Sequence, residues 1–125
     1  MKRLAFLLIA VSMFAAEPVM AYDGNKLIKY CKLAIETYDK RISIQQQVDV
    51  NVCLATVQAV YDTVSEFERI VSVEQPNVFT CLPDSLVLRQ KIRVVYIYLR
   101  DHPEKLHLNG APLIMAAFAE AYPCQ

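Results

Sequence analysis

The chain has 125 residues, with 13 Lys and Arg against 13 Asp and Glu, so its formal net charge at pH 7 is zero. Such a balance disfavours partners that bind through a strong electric field, namely nucleic acids and anionic lipid surfaces. The whole sequence contains only two glycines, and this scarcity disfavours the glycine-rich loops that hold phosphate groups. We therefore expect one small domain with no cofactor and no nucleic-acid partner.

The amino terminus has the pattern of a secretory signal peptide. Two basic residues precede an apolar run over residues 4–16, and small residues follow up to Ala21, where signal peptidase would cut. The apolar run is too short to cross a bilayer. We predict that residues 1–21 are cleaved and that residues 22–125 form a single exported domain without a membrane anchor. The leader takes two basic residues and one acidic residue with it, so the net charge becomes −1.

All four cysteines lie in the segment predicted to be exported: Cys31, Cys53, Cys81 and Cys124. An even number of cysteines in a small exported domain favours two disulfides, for which three connectivities are open. Zinc is the alternative, but no C-x-x-C or C-x-x-H spacing occurs, so we expect no metal site. We favour the pairs Cys31–Cys53 and Cys81–Cys124, each of which would close a loop of tens of residues and constrain the unfolded chain.

Two amphipathic helices are predicted in the first half of this domain. The first is capped by residues 23–25, and its apolar stripe recurs at spacings of three and four residues: Leu27, Cys31, Ile35, Tyr38 and Ile42. A polar, glutamine-rich connection follows. The second helix covers about residues 48–71 and has a continuous apolar seam: Cys53, Val57, Val60, Val64, Phe67 and Val71.

A third helix is predicted after Asp84 or Ser85, either of which can cap it. Its core face contains Leu88, Ile92, Val95, Tyr96 and Leu99, and its opposite face contains a basic stripe of Arg89, Arg93 and Arg100. Val87, Val94 and Tyr98 extend the apolar surface beside the core face, and Ile97 falls within the basic stripe. We interpret these four residues as part of a wide core face, and the alternative is a surface for a partner or a second copy of the chain.

Prolines mark a turn and a fourth helix. Pro103 ends the third helix, because the residue before a proline disfavours helical geometry, and residues 104–110 form a polar turn. Pro112 suits the first position of a fourth helix over residues 111–122, in which Glu120 is the only charge. A helix this apolar is expected to be buried on several sides. The fold class is therefore all-α, a compact bundle of about four helices stapled by two disulfides.

The sequence contains no convincing set of catalytic residues. His102 and His107 lie in the turn, where we interpret them as residues that end the helix and hold the turn. Paired cysteines leave no thiol for a Cys–His nucleophile, and no convergent partners support a histidine base with Asp101 or Glu104. No H-E-x-x-H motif, phosphate loop or nucleophile elbow occurs. We therefore expect a protein that is not an enzyme.

Several motifs of the second half resemble those of a known family. They are Cys81-Leu-Pro83, Tyr98-Leu-Arg-Asp-His102-Pro103, Leu106-His107, Ala111-x-Leu113 and Ala121-Tyr-Pro-Cys124. In the first half, Cys31 and the stretch over residues 53–62 fit the family less specifically, and Ala55 and Ala59 stand where the family motif has glycines. The chain is similar to the small exported immunity proteins that protect bacteria from type VI secretion amidase effectors.

This resemblance implies a disulfide-stapled helical protein of the Gram-negative periplasm, often a homodimer. It also implies that the protein inhibits a papain-like peptidoglycan amidase by plugging its substrate groove. A loop that is rigid at its base loses little conformational entropy when it enters a cleft. We therefore predict partner contacts from the turn and the neighbouring basic stripe: Asp101, His102, Glu104, Lys105, His107, Asn109, Arg93 and Arg100. The alternative is a periplasmic chaperone or assembly factor without a toxin partner, binding through the apolar surface around Ile97.

Overall fold

The computed structural model describes residues 22–71 and 80–124 of the chain. Within these ranges lie four α-helices, α1 Gly24–Glu36, α2 Ile44–Val71, α3 Leu88–Asp101 and α4 Gly110–Ala121, and one 3₁₀ turn, Pro103–Lys105. The described residues form no β-strand, only an isolated antiparallel bridge between Asp23 and Asn109. The predicted all-α fold of four helices is confirmed, whereas the signal peptide predicted over residues 1–21 lies outside the described residues.

Side-chain caps determine where α1 and α2 begin. The Asp23 carboxylate accepts a hydrogen bond from the Lys26 backbone N–H at 2.9 Å, which satisfies one of the donors left free at a helix start. Before α2, the Gln46 N–H donates to Ser43 Oγ at 3.2 Å and the Ser43 N–H donates to Gln46 Oε1 at 3.0 Å, a reciprocal capping box. This box starts α2 at Ile44, earlier than predicted, because the glutamine-rich stretch is helical.

The hydrophobic core lies where the four helices meet. α1 packs mainly against α2 and α3, and α4 packs against the same two helices from another side. The largest fully buried side chains are Phe118, Leu27, Leu99, Ile114, Val57, Val95, Cys31 and Cys53. Burial of one such apolar side chain stabilises a fold by roughly 1.5–3 kcal/mol. The apolar stripes of all four predicted helices therefore contribute to one shared core.

The predicted stripes are wrong near helix ends. Tyr38 is 63% exposed because α1 ends at Glu36, before the predicted stripe does. Phe67 is 48% exposed near the carboxyl end of α2, where this helix of 28 residues extends past neighbours of 12 to 14 residues. On α3, Tyr98 is buried, as its interpretation as core requires, but Ile97 is 47% exposed.

The starts of α3 and α4 differ from the prediction by a few residues. Residues 84–85, predicted to cap α3, form a turn. The helix begins after Val87, whose N–H donates to Gln90 Oε1 at 3.3 Å. α4 begins at Gly110, so Pro112 is its third residue and not its first. The missing N–H of proline is tolerated at either position, because the first turn of a helix has no carbonyl to receive it.

α4 is buried on one side and exposed on the other. Leu113, Ile114 and Phe118 face the core, whereas Ala111 is exposed and Met115 is 46% exposed. The prediction of burial on several sides is therefore wrong, because α2 and α3 cover only part of this apolar helix. Across the described residues, no helix combines the length and the apolar character that a membrane span requires.

Both favoured disulfides are confirmed. Cys31–Cys53 joins α1 to α2 across a Cα–Cα distance of 5.2 Å, and Cys81–Cys124 joins the chain before α3 to the chain after α4 across 5.0 Å. The cross-linked residues are separated by 22 and 43 positions. By the chain-entropy relation, loops of these lengths stabilise the fold by roughly 3 and 4 kcal/mol.

Two charged side chains that contact α2 or belong to it are withdrawn from water. Lys91 is 6% exposed, and its ammonium group donates to Gln58 Oε1 at 3.2 Å and lies 3.6 Å from the centroid of the Tyr61 ring. Glu68 accepts hydrogen bonds from the backbone of residues 80 and 82, while its Oε1 is buried without a partner. Burial raises the pKa of the Glu68 carboxyl.

Candidate functional site

A loop of eight residues, 102–109, joins α3 to α4 and contains most of the predicted contact residues. Pro103, which has no N–H, ends α3 and begins the 3₁₀ turn. The Lys105 N–H donates to the His102 carbonyl at 3.0 Å, and the Leu108 N–H donates to the Lys105 carbonyl at 2.9 Å. The backbone of the 102–109 loop is therefore folded into successive hydrogen-bonded turns.

The start of α1 holds the middle of this loop. The Gly24 N–H donates to the Leu108 carbonyl and the Asn25 N–H donates to the Leu106 carbonyl, each at 3.0 Å. The side-chain Nδ2 of Asn25 donates to the same Leu106 carbonyl, also at 3.0 Å. Tyr22 and Asp23 pair with Gly110 and Asn109 beside these contacts, and residues 22–25 together are named the amino-terminal clasp.

Both glycines of the chain lie where the clasp meets the loop and α4. A Cβ on Gly24 would lie 2.9 Å from the Cα and from the carbonyl oxygen of Leu106. A Cβ on Gly110 would lie 2.7 Å from the carbonyl oxygen of Tyr22, to which the Gly110 N–H donates at 2.7 Å. Because these obstructing atoms belong to the backbone, only glycine allows the three segments to approach so closely.

His102 connects the loop to α4. One ring nitrogen lies 3.3 Å from a carboxylate oxygen of Glu104, and the other lies 3.3 Å from a carboxylate oxygen of Glu120. Its ring centroid is 4.3 Å from that of Tyr98. The backbone N–H of Glu104 itself and then the hydrogen bond from His102 lower the pKa of the Glu104 carboxyl. His102 therefore holds the loop in place, and the two glutamates are the exposed parts of this group.

Lys105 is directed towards α3. Its ammonium group donates to the hydroxyl of Tyr98 at 3.1 Å and lies 5.2 Å from the centroid of that ring. The hydrogen bond to the tyrosine hydroxyl raises the pKa of Lys105. The charge that we predicted to contact a partner is thus already bonded within the protein.

Charged residues at the end of α3 border the loop. The guanidinium of Arg100 donates to both carboxylate oxygens of Asp101, with Nε–Oδ1 at 2.7 Å and Nη2–Oδ2 at 3.1 Å. This pairing raises the pKa of Arg100 and holds the pKa of the Asp101 carboxyl below its usual range. Arg93 is exposed and lies two turns earlier, about 12 Å from Asp101 along the helix axis. Arg93 is the one predicted contact residue that lies neither on the loop nor directly beside it.

His107 and Asn109 are exposed beside the half-buried Leu106. Together with Glu104 they give the loop an exposed surface of hydrogen-bonding and charged groups. In residues 22–71 and 80–124, no three His, Cys, Asp or Glu side chains are grouped closely enough to hold a metal ion. All four cysteines are in disulfides. The chemistry that this surface offers is recognition of another molecule by hydrogen bonds and ion pairs.

Three parts of this site were missed by the sequence analysis: Asn25, Glu120 and the pair of glycines. Glu120 is the single charge of α4 and the chain has only two glycines, so both signals were visible in the sequence. Their partners were not, because Glu120 bonds to a residue 18 positions away and Asn25 to one 81 positions away.

A second candidate surface is an apolar groove of about 680 Å³ between α2 and α4. It is lined by Ala59, Val60, Thr63, Val64, Phe67, Thr80, Ala111, Met115, Ala116 and Ala119. The Thr63 hydroxyl donates to the Ala59 carbonyl of the same helix. The Thr80 hydroxyl donates to the Phe118 and Tyr122 carbonyls at the end of α4. The groove therefore presents no charge and no free hydroxyl, which suits an apolar occupant.

Comparison with known proteins gives one match. No curated protein and no solved structure matches this chain. A family model described as Rap1a immunity proteins matches residues 23–124, which include all four helices and both disulfides. Membership of this family implies an immunity protein that binds a toxic effector. The chain belongs to the Rap1a immunity protein family.

Proposed function

We propose that this chain is a periplasmic immunity protein that inhibits a papain-like peptidoglycan amidase delivered by type VI secretion. In this proposal the 102–109 loop enters the substrate groove of the amidase and blocks it, and the protein acts by binding and not by catalysis. Membership of the immunity family supports the general function. The observation that carries the mechanism is a polar, exposed loop whose backbone is fixed before any partner arrives.

Preorganisation favours such a loop as an inhibitor. Ordering the backbone of a flexible segment costs about 1 kcal/mol per residue, which is on the order of 8 kcal/mol for the eight residues of the loop. Here turn hydrogen bonds and the clasp already hold the backbone. Binding energy from the exposed side chains is therefore not spent on ordering the loop.

Among the predicted contact residues, exposure separates two roles. Glu104, His107 and Asn109 are exposed on the loop and are proposed to contact the amidase directly. Arg93 and the Arg100–Asp101 pair are proposed to contact the rim of its groove. We assign His102 and Lys105 the role of holding the loop, because their polar atoms already bond to Glu120 and Tyr98.

Two disulfides support action in an oxidising compartment. Such bonds form in the periplasm and are rare in the reducing cytosol, and both lie within the family match. Cleavage of the predicted leader after Ala21 would leave Tyr22, the first clasp residue, as the first residue of the exported chain. The periplasm is also where peptidoglycan and its amidases meet.

Homodimerisation through the α2–α4 groove is part of this proposal. A twofold interface needs small and projecting apolar residues on the same face, because each patch meets its own copy. The groove has both, with Ala59 and Ala119 beside the projecting Phe67 and Met115. Ala59→Arg should produce monomers in sedimentation at micromolar concentration, and a wild-type chain that is monomeric throughout would remove the dimer.

The test of the proposed function is to look for a papain-like peptidoglycan amidase encoded beside this chain and to measure whether the chain binds and inhibits it. Oxidised residues 22–125 should bind it with a Kd of nanomolar order, about −12 kcal/mol, and should stop cleavage of peptidoglycan. Glu104→Ala should weaken binding, whereas Glu36→Ala is a matched control, because Glu36 is an exposed carboxylate at the far end of α1, about 18 Å along the helix from Gly24. Absence of binding, together with capture of unfolded envelope proteins, would favour the chaperone alternative.

A further inference from the structure

We infer that the amino-terminal clasp, residues 22–25, positions the 102–109 loop for binding, with Asn25 as the positioning residue. This inference rests on the proposed function. It adds to the binding site a segment from the opposite end of the chain, which the fold brings against the loop.

The clasp bonds to the part of the loop that its own turns hold least well. Inside the loop, the Leu106 N–H lies 3.4 Å from the Pro103 carbonyl, a long hydrogen bond. The Leu106 carbonyl, in contrast, accepts two bonds of 3.0 Å from Asn25, one from the backbone and one from the side-chain amide. A carbonyl oxygen has two lone pairs, so Asn25 satisfies this carbonyl completely.

The exposed side chains proposed to touch the amidase flank this point. Glu104 lies two residues before Leu106 and His107 one residue after it. A change in the backbone at Leu106 therefore alters the relative placement of these two side chains. Without the Asn25 amide, we expect a smaller fraction of molecules to have the binding-ready loop, and the apparent Kd rises in inverse proportion to that fraction.

Positioning and direct contact predict different kinetics. Asn25 is itself exposed, so it could instead touch the amidase. Loss of a direct contact increases the dissociation rate, as most interface changes do. Loss of a positioning bond reduces the fraction that can bind and so lowers the association rate, while the complex, once formed, keeps its contacts.

The experiment compares Asn25→Ala and Asn25→Asp with Asn51→Ala in the oxidised chain. Aspartate keeps the size of asparagine and favours a helix start, but its carboxylate cannot donate to Leu106. Asn51 is a matched control, because it is exposed on α2 and its side-chain amide has no hydrogen-bond partner among the described residues. The probe is the neighbouring amidase with its catalytic cysteine replaced by alanine, and the readouts are association rate, dissociation rate and amide exchange.

We expect both Asn25 variants to associate more slowly, by at most about tenfold, which is the worth of one hydrogen bond, with dissociation nearly unchanged. Amides over residues 105–110 should exchange faster, and Asn51→Ala should match the wild type.

Unchanged exchange at the loop would overturn the inference without reference to any partner. So would faster exchange with an unchanged association rate, or a change confined to dissociation. A wild-type chain that binds no amidase would overturn the proposed function, and the exchange result would keep the two failures distinguishable.

Discussion

Replacing Gly110 by alanine tests how tightly α1, the 102–109 loop and α4 meet. The new Cβ would lie 2.7 Å from the Tyr22 carbonyl oxygen, well inside the 3.4 Å at which ordinary contact begins. This clash can be relieved only if the backbones at Gly110 and Tyr22 move apart, which stretches the hydrogen bond of 2.7 Å between them. Overpacking costs about 1–3 kcal/mol and a weakened hydrogen bond about 1 kcal/mol, while alanine returns at most about 1 kcal/mol of helix propensity. We expect a net loss of about 2 kcal/mol in the free energy of unfolding.

Urea unfolding of the oxidised chain measures this loss. For a domain of this size the midpoint should fall by about 1–2 M with an unchanged slope. Gly24→Ala should have the same sign, and the double variant should lose less than the sum, because both changes open the same junction. An alanine variant at Gly110 that is as stable as the wild type, or more stable, would follow helix propensity alone and would refute the close approach.

Three further predictions concern groups outside this junction. Burial raises the folded-state pKa of Glu68 above its ordinary 4.5, so the stability that its protonated form contributes is present below about pH 4.5 and is lost as pH rises through the folded pKa. Glu68→Gln should therefore gain stability relative to the wild type between pH 4 and pH 7. A stability difference that does not change with pH would contradict this cause. The free energy of unfolding of Lys91→Met should lie within about 1 kcal/mol of the wild-type value, because an apolar chain replaces a buried ammonium group. Lys91→Ala should lose about 2 kcal/mol, because it leaves a cavity. Equal losses in the two variants would show that the charge itself stabilises the fold. Mild reduction of the native protein should open Cys81–Cys124, where Cys81 is exposed, before the fully buried Cys31–Cys53. Alkylation followed by mass spectrometry measures the order, and the reverse order would contradict this prediction.

The helices could be predicted from periodicity because each one needs an apolar stripe against the shared core. The spacing of Cys53, Val57 and Val64 predicted the core side of α2, and all three are buried. Periodicity continues past the point where neighbouring helices stop, so it could not predict that Phe67 is exposed. Where a helix begins depends on local capping, and the box formed by Ser43 and Gln46 starts α2 before the point that periodicity predicts.

The candidate site was predicted in outline, since prolines and polar residues marked the loop between α3 and α4. What each side chain bonds to could not be predicted, because those partners are distant in sequence. Lys105 was expected to contact a partner, but the hydroxyl of Tyr98 binds its ammonium group. Asn25 was predicted only as part of a helix cap, because nothing local indicates that Leu106 lies beside it.

The order of the disulfides along the chain bears on how the protein matures. Cys31 pairs with Cys53 and Cys81 with Cys124, so each cysteine is joined to its immediate neighbour among the four. A chain exported amino terminus first presents its thiols in that same order. An oxidase that joins each newly arrived thiol to the one before it then makes only native pairs, with no rearrangement by thiol–disulfide exchange. Under the proposed export we therefore expect maturation to need no disulfide isomerase, with the first half of the chain covalently closed while the second half is still being translocated.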